Sequence, residues 1–461
     1  MKYRLVCMST ITALFLVSCS SSRAQDKPNP AKADPVIGKM LTQISADSIK
    51  ANILKLVSFN TRQTLSDTLS NTTGIGAARR WIYSKFEQYG RESGGRLKVG
   101  YEGYVQQPEG RIDRPTKIVD VIAVLHGSQT EASNRIYIVS GHYDSRVTDI
   151  MNRTSEAPGA DDDGSGTAAS LEMARVMSRY HFDATIIFAA VAGEEQGLYG
   201  STHLADIARK KNWDVAAMFT NDIIGSPAAD NGTRDPNTVR VFAQGIPPKK
   251  ELSDYDRMLL RTGGENDTPP RELAREIMFA AKKYDTGMNV MMIYRNDRYL
   301  RGGDHMPFLA KGYPAVRFTE THEDFRHQHQ DVRLVNGVQY GDLPGFVDYK
   351  YVARVTRVNA AALAEMASAP ARPANPGMDV SKLTNSTTLL WNANHEPDLA
   401  GYRIVWRRTT SPGWQHSKFV GKDTTYTLKD ISKDNYLFGI QSVDNNGHVS
   451  PAVYPLPVFN R

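Results

Sequence analysis

Cysteine is nearly absent. Cys7 and Cys19 are the only two in 461 residues. Cys7 lies inside an apolar N-terminal leader, so the mature chain has no intramolecular disulfide. An exported protein of this kind must rest on its core or on metals. Long apolar runs are also missing, since Leu5 to Val17 is too short to span a bilayer as a mature helix. Charge of one sign never accumulates. The 56 basic and 50 acidic residues leave a formal charge of +6, and pairs such as Lys249-Lys250 and Lys282-Lys283 are scattered. Such pairs read as solvated faces and speak against nucleic acid as a partner. With 40% hydrophobic and 23% charged residues the composition is globular, and the length calls for two folded domains.

The N-terminus, with Lys2 and Arg4 before the apolar stretch, reads as a secretory signal over residues 1–18. Its end, "LVSC", resembles a bacterial lipobox. That resemblance implies a lipid on Cys19, followed by Ser20, and anchorage in a bacterial cell envelope at the outer membrane. The alternative is plain cleavage and a soluble secreted protein. Residues 19–38 are polar with repeated proline and read as a flexible tether.

Residues 39–369 alternate between helix and strand patterns. "KIVDVIAVL", "NRIYIVSGH", "DATIIFAAV", "VAAMFTND" and "YPAVRFTE" read as buried strands. "GTAASLEMARVMSRY", "PPRELAREIMFAAKKY" and "VDYKYVARVTRVNAAALAEMA" read as helices. Apolar strands between amphipathic helices predict an α/β fold, with a mostly parallel mixed sheet flanked by helices on both faces. Residues 370–377, "PARPANPG", read as a linker. Residues 378–461 carry short strands at sandwich spacing and resemble a fibronectin type III module, with Trp391 as its core tryptophan and Tyr436 near a corner. Such a module is expected to be a spacer or a docking surface.

Polar residues gather where the apolar strands stop: His142 and Asp144, Glu194 and Glu195, Asp222, and then His327 and His329. A run of three aspartates, Asp161 to Asp163, stands before a helix. Each has a bland alternative, as a surface pair, a helix cap or a turn. Their joint occurrence at successive strand ends favours a ligand site, because open α/β sheets bind ligands there. Carboxylate and imidazole without thiolate suit zinc, and five or more candidates suit two ions sharing a bridging carboxylate.

The ordered motifs "GHYDS", "PGADDDGSG", "AGEEQGLYGS", "NDIIG" and "GGDHMPFLAKGYPAV…FRHQHQD" resemble the co-catalytic di-zinc aminopeptidases over roughly residues 44–368. That family includes the bacterial leucyl aminopeptidases and aminopeptidase Y. Glutamate carboxypeptidase II and glutaminyl cyclase are more distant members. The resemblance implies a zinc-peptidase α/β/α sandwich and two Zn2+ per chain acting on peptide substrates. His142, Asp162, Glu195, Asp222 and His327 would be the metal ligands, with Asp162 bridging. Glu194 would be the general base and Asp144 would orient His142. His305 would support the site without binding metal. The Asp162–Asp163 peptide would be cis. The resemblance selects His327 over His329 by its distance from Asp331. The segment from Ala228 to Arg301 has no counterpart among these motifs. A glutaminyl cyclase-like acyltransferase, a carboxypeptidase for acidic residues and a non-catalytic ectodomain are the alternatives.

Overall fold

The computed structural model describes residues 32–248 and 251–459. The signal over 1–18, Cys19 and most of the 19–38 tether lie outside the described residues. The end of that tether differs from expectation, because Pro35–Leu41 is a helix, α1, with Ile37, Met40 and Leu41 buried. Pro35 stands in its first turn, where a missing N–H costs nothing, and the Asp34 side chain accepts from the Val36 N–H at 2.7 Å.

Helices α2 (Ala46–Val57) and α3 (Gly74–Glu92) precede β1 (Leu97–Gln106), β2 (Thr116–Leu125) and β3 (Arg135–His142). Then follow α4 (Gly164–Met177), β4 (Thr185–Val191), the short α5 (Glu194–Gly197), α6 (Tyr199–Lys210) and β5 (Asp214–Asn221). The segment without a motif counterpart holds β6 (Thr238–Ala243), α7 (Asp254–Thr262), α8 (Pro269–Lys283) and β7 (Asn289–Ile293). Helix α9 (His305–Ala310), β8 (Ala315–Glu320), a hairpin of β9 (Arg333–Val335) and β10 (Val338–Tyr340), and α10 (Tyr349–Ser368) complete the unit.

Eight strands form one mixed sheet in the order β1-β2-β4-β3-β5-β8-β6-β7. Its centre is parallel, with β4, β3, β5 and β8 running side by side. The pairs β1/β2, β2/β4 and β6/β8 are antiparallel. Alternate residues of one strand enter different cores. Ile186, Phe188 and Ala190 pack with α2, α3, α4, α8 and α10, whereas Ile187, Ala189 and Val191 pack with α6 and α9. Coverage of both faces is why the central strands are apolar throughout. Gly141 is needed for this packing, since a Cβ there would lie 2.3 Å from the backbone of Gly166 and Thr167 on α4. No helix among the described residues is long and apolar enough to cross a membrane.

The C-terminal region is all-β in two sheets. One has the order β15-β12-β11-β17 and the other β14-β13-β16. Their ranges are β11 (Ala374–Asp379), β12 (Thr387–Asn392), β13 (Leu399–Arg408), β14 (His416–Phe419), β15 (Thr425–Leu428), β16 (Tyr436–Asp444) and β17 (Leu456–Val458). The expected linker is therefore shorter than 370–377, because β11 begins at Ala374 and pairs with β12 and β17. The sheets share a core of Leu389, Trp391, Tyr402, Ile404, Trp406, Phe438 and Ile440. Trp391 meets Tyr402 edge-on with ring centroids 5.3 Å apart.

This region is joined to the first by buried ions. Asp267 accepts from Arg407 at 2.7 and 2.8 Å and from Arg275 at 3.2 Å. Arg135 meets Glu396 at 3.3 Å.

Candidate metal centre

The parallel register sets the site. His142 at the end of β3 pairs with Val191 at the end of β4, and β5 lies on the other side of β3. The turns leaving these strands therefore deliver His142, Glu194, Glu195 and Asp222 to one edge of the sheet. Two groups of ligand atoms form there, each within 4.8 Å: His142, Glu194 and Asp222, and Asp162, Glu195 and His329.

Asp162 joins the two groups. Its Oδ1 is 3.2 Å from His142 Nε2, and its Oδ2 is 2.9 Å from His329 Nε2. His329 Nε2 also lies 3.2 Å from Glu195 Oε1, and His142 Nε2 lies 3.9 Å from Asp222 Oδ1. Burial would raise the Asp162 carboxyl, but His329 and His142 hold it well below the usual carboxylate range.

His327 is not part of either group. Its ring stacks on Phe346 with centroids 3.5 Å apart, and its Nδ1 is 3.5 Å from Asp324. The expected choice of His327 is thus corrected to His329. The two are separated by a turn in which His329 takes a left-handed φ of 51° and aims inward.

The three consecutive aspartates have three different surroundings. The Asp162–Asp163 peptide is cis. Asp163 accepts from the His142 N–H at 2.9 Å and from the Gly166 N–H at 2.8 Å, so it caps α4 and ties it to β3. Asp161 accepts from the Gly225 N–H at 2.7 Å, and burial pushes its carboxyl up to about 7.

Two residues that carried no sequence signal hold this loop. Asp342 accepts from the N–H groups of Asp161 and Asp162 at 2.8 and 2.7 Å. The fully buried Arg62 donates to the carbonyls of Pro158 and Gly159 at 2.5 and 2.8 Å. A third, Arg317, meets Asp222 Oδ1 at 2.7 Å. Its one sequence signal was a charge inside the apolar run "YPAVRFTE".

Asp144 does more than face His142 Nδ1 at 3.5 Å. Its carboxylate accepts from the N–H groups of Glu194 and Glu195 at 3.3 and 3.2 Å and from the Thr64 hydroxyl at 2.8 Å. It therefore fixes the glutamate pair as well as the histidine. His305 is fully buried, its Nε2 2.6 Å from the Asn296 carbonyl oxygen, and it belongs to neither group.

The donor set fits metal ions. His142 Nε2 and Glu195 Oε1 are buried and make no well-aligned hydrogen bond, although Asp162 and His329 lie 3.2 Å from them. Leaving such atoms unmatched costs on the order of 1–3 kcal/mol each, and a cation between the groups satisfies them.

The family model for peptidase family M28 matches residues 120–333, a span that holds both groups. A protein of Pyrenophora teres f. teres described as a probable zinc metalloprotease is 50% identical over 429 residues, covering 93% of this chain and 88% of its own. This chain belongs to peptidase family M28. A second relative, described as a probable zinc metalloprotease of Leptosphaeria maculans, is 51% identical over 421 residues, covering 91% of this chain and 97% of its own. Among solved structures, the LapA aminopeptidase of Legionella pneumophila superposes with a TM-score of 0.52 at 22% identity, over 73% of this chain and 76% of its own. That likeness speaks to the fold alone.

Proposed function

We propose that this M28 peptidase is an exported zinc aminopeptidase that binds two zinc ions. The observation that carries the two-ion reading is Asp162, whose two oxygens face the imidazoles of different groups at 3.2 and 2.9 Å. In this reading His142 and Asp222 would hold one zinc, Glu195 and His329 would hold the other, and Asp162 would serve both. Bound zinc supplies Lewis acidity toward a peptide carbonyl and lowers the pKa of water.

Glu194 is the proton carrier. Burial raises its carboxyl well above the usual range, Asp222 and Glu195 add to the rise, and His142 opposes it. A glutamate raised in this way suits taking a proton from water and handing it to the leaving amine. Asp144 keeps Glu194 in place through its backbone N–H. The free α-amine of a peptide finds a carboxylate-rich site, which favours cleavage at the N-terminal residue.

A panel of aminoacyl arylamides, matched N-acetylated peptides and N-terminal glutaminyl peptides tests this reading. Release of free N-terminal residues with no turnover of acetylated peptides is expected. Cyclisation of the glutaminyl peptides, or preferential loss of acidic C-terminal residues, overturns it.

Export rests on Lys2, Arg4 and the apolar run before Cys19, with Cys19 as lipid anchor. A Cys19→Ala chain that stays in the membrane fraction removes the anchor from the proposal. The C-terminal sandwich is read as fibronectin type III-like, supported by its four- and three-stranded sheets around Trp391.

A further inference from the structure

The segment between Ala228 and Arg301 matches no motif, yet it contacts Arg317, which pairs with Asp222 of one group, and Glu323, which bonds Gln328 beside His329 of the other. A chain of ion pairs can be followed through it. Asp222 Oδ1 meets Arg317 at 2.7 Å, and Arg317 meets Asp297 at 3.4 Å. Asp297 meets the Arg298 Nε at 3.2 Å and accepts from the Arg298 N–H at 2.6 Å. Arg298 donates to Glu323 at 3.0 Å. Glu323 also accepts from the Gln328 amide at 3.2 Å, and Gln328 immediately precedes His329. The path starts on a residue of one group and ends beside a residue of the other.

Glu323 is the hub. Besides Arg298 it accepts from Arg240 on β6 at 2.7 Å and from Arg301 at 3.1 Å, and its side chain is only 6% exposed. Three guanidinium groups on one carboxylate hold it well ionised, down to about 2 against the effect of burial. An arrangement this buried is costly to cut, since each remaining arginine would face a lost partner. Arg240, Arg298 and Arg301 all come from the segment of unassigned task. The turn carrying His329 has little secondary structure of its own, so its geometry depends on such contacts.

We propose that Glu323 is a positioning residue for His329, and that the 228–301 segment serves as a brace holding the two metal groups in register. The proposal rests on the two-zinc reading. A metal's outer partners typically govern 10–100-fold in metal affinity.

The test is chelator competition on the purified full chain, reading zinc per chain without substrate. For Glu323→Gln, one zinc should be lost at roughly 10–100-fold less chelator than in the wild type, with the other retained. Arg298→Met should act in the same direction while leaving Arg240 and Arg301 on Glu323, and it serves if Glu323→Gln fails to fold. Glu396→Gln is the control. It breaks an equally buried pair, with a side chain 6% exposed, far from the metal groups in the C-terminal region. Its zinc retention should match the wild type. Unchanged retention in Glu323→Gln and Arg298→Met, equal weakening of both zincs, or the same loss in Glu396→Gln overturns the proposal. A wild-type chain that holds a single zinc sinks the underlying two-zinc reading instead, and this is visible before any variant is compared.

Discussion

His327 and His329 are two residues apart, and the structure gives them unrelated environments, so replacing each with alanine separates them. His329 sits between Asp162 and Glu195 at 2.9 and 3.2 Å. Without metal, burial disfavours its charge, yet Glu195 and Asp162 push its pKa up to about 10. Measured from an ordinary value of 6.5, that rise corresponds to a net preference for positive charge there, after the opposing burial, on the order of 5 kcal/mol. His329→Ala removes the proposed ligand and leaves both carboxylates facing each other. The loss in zinc affinity should exceed the roughly 100-fold limit typical of outer partners, and activity should fall with it. His327→Ala removes a ring stacked on Phe346, worth about 0.5–1.5 kcal/mol of stability. Its kcat/KM at saturating zinc should stay within a few-fold of the wild type. Elemental analysis after gel filtration, paired with arylamide kinetics, reads both effects. Zinc loss in His327→Ala with retention in His329→Ala refutes the assignment of the second group.

Three further outcomes are expected. Glu194→Gln should lower kcat by about 10²–10⁴-fold while zinc content stays unchanged, and activity within a few-fold of wild type removes Glu194 as the base. Asp267→Asn strips the buried carboxylate from Arg275 and Arg407. It should cost about 3–5 kcal/mol in denaturant unfolding, and a neutral result means the C-terminal region is not held by this pair. Glu276 is buried, and burial with help from Glu365 raises it from 4.5 to about 8, against Arg403 and Lys283. The folded state thus binds a proton that the unfolded state has released, so this group makes stability decline as pH rises from about 4.5 to about 8. Glu276→Gln should flatten that part of the stability profile, and an unaltered slope contradicts the shift.

Much of the sheet's centre was legible because β3, β4, β5 and β8 are buried on both faces and therefore read as unbroken apolar runs. The edge strand β1 was missed. Its burial alternates toward solvent, and "LKVGYEGYVQ" supplies few apolar residues to mark it. Strands β6 and β7 are short and lie in the segment without motifs. At the site, His142, Glu194, Glu195 and Asp222 follow directly from strand ends, where chain direction fixes position, and Asp162 from the aspartate run just before α4. His329 sits on an irregular loop, so the choice between it and His327 was made by a distant ring, Phe346, capturing the wrong one. Asp342, Arg62 and Glu323 gain their tasks only by tertiary approach, which no spacing along the chain records. The tether and linker read as too long because repeated proline marks flexible chain, whereas here Pro35 opens helix α1 and Pro376 lies within β11 where its pairing with β12 shifts register.

The central claim is a two-ion site bridged by Asp162. The most direct measurement is calorimetric titration of the chelator-stripped full chain with zinc, with elemental analysis of the product. Two zinc ions per chain are predicted in the wild type, with Asp162→Asn weakening both. Saturation at one zinc, or an Asp162→Asn chain that binds two as tightly as the wild type, contradicts it.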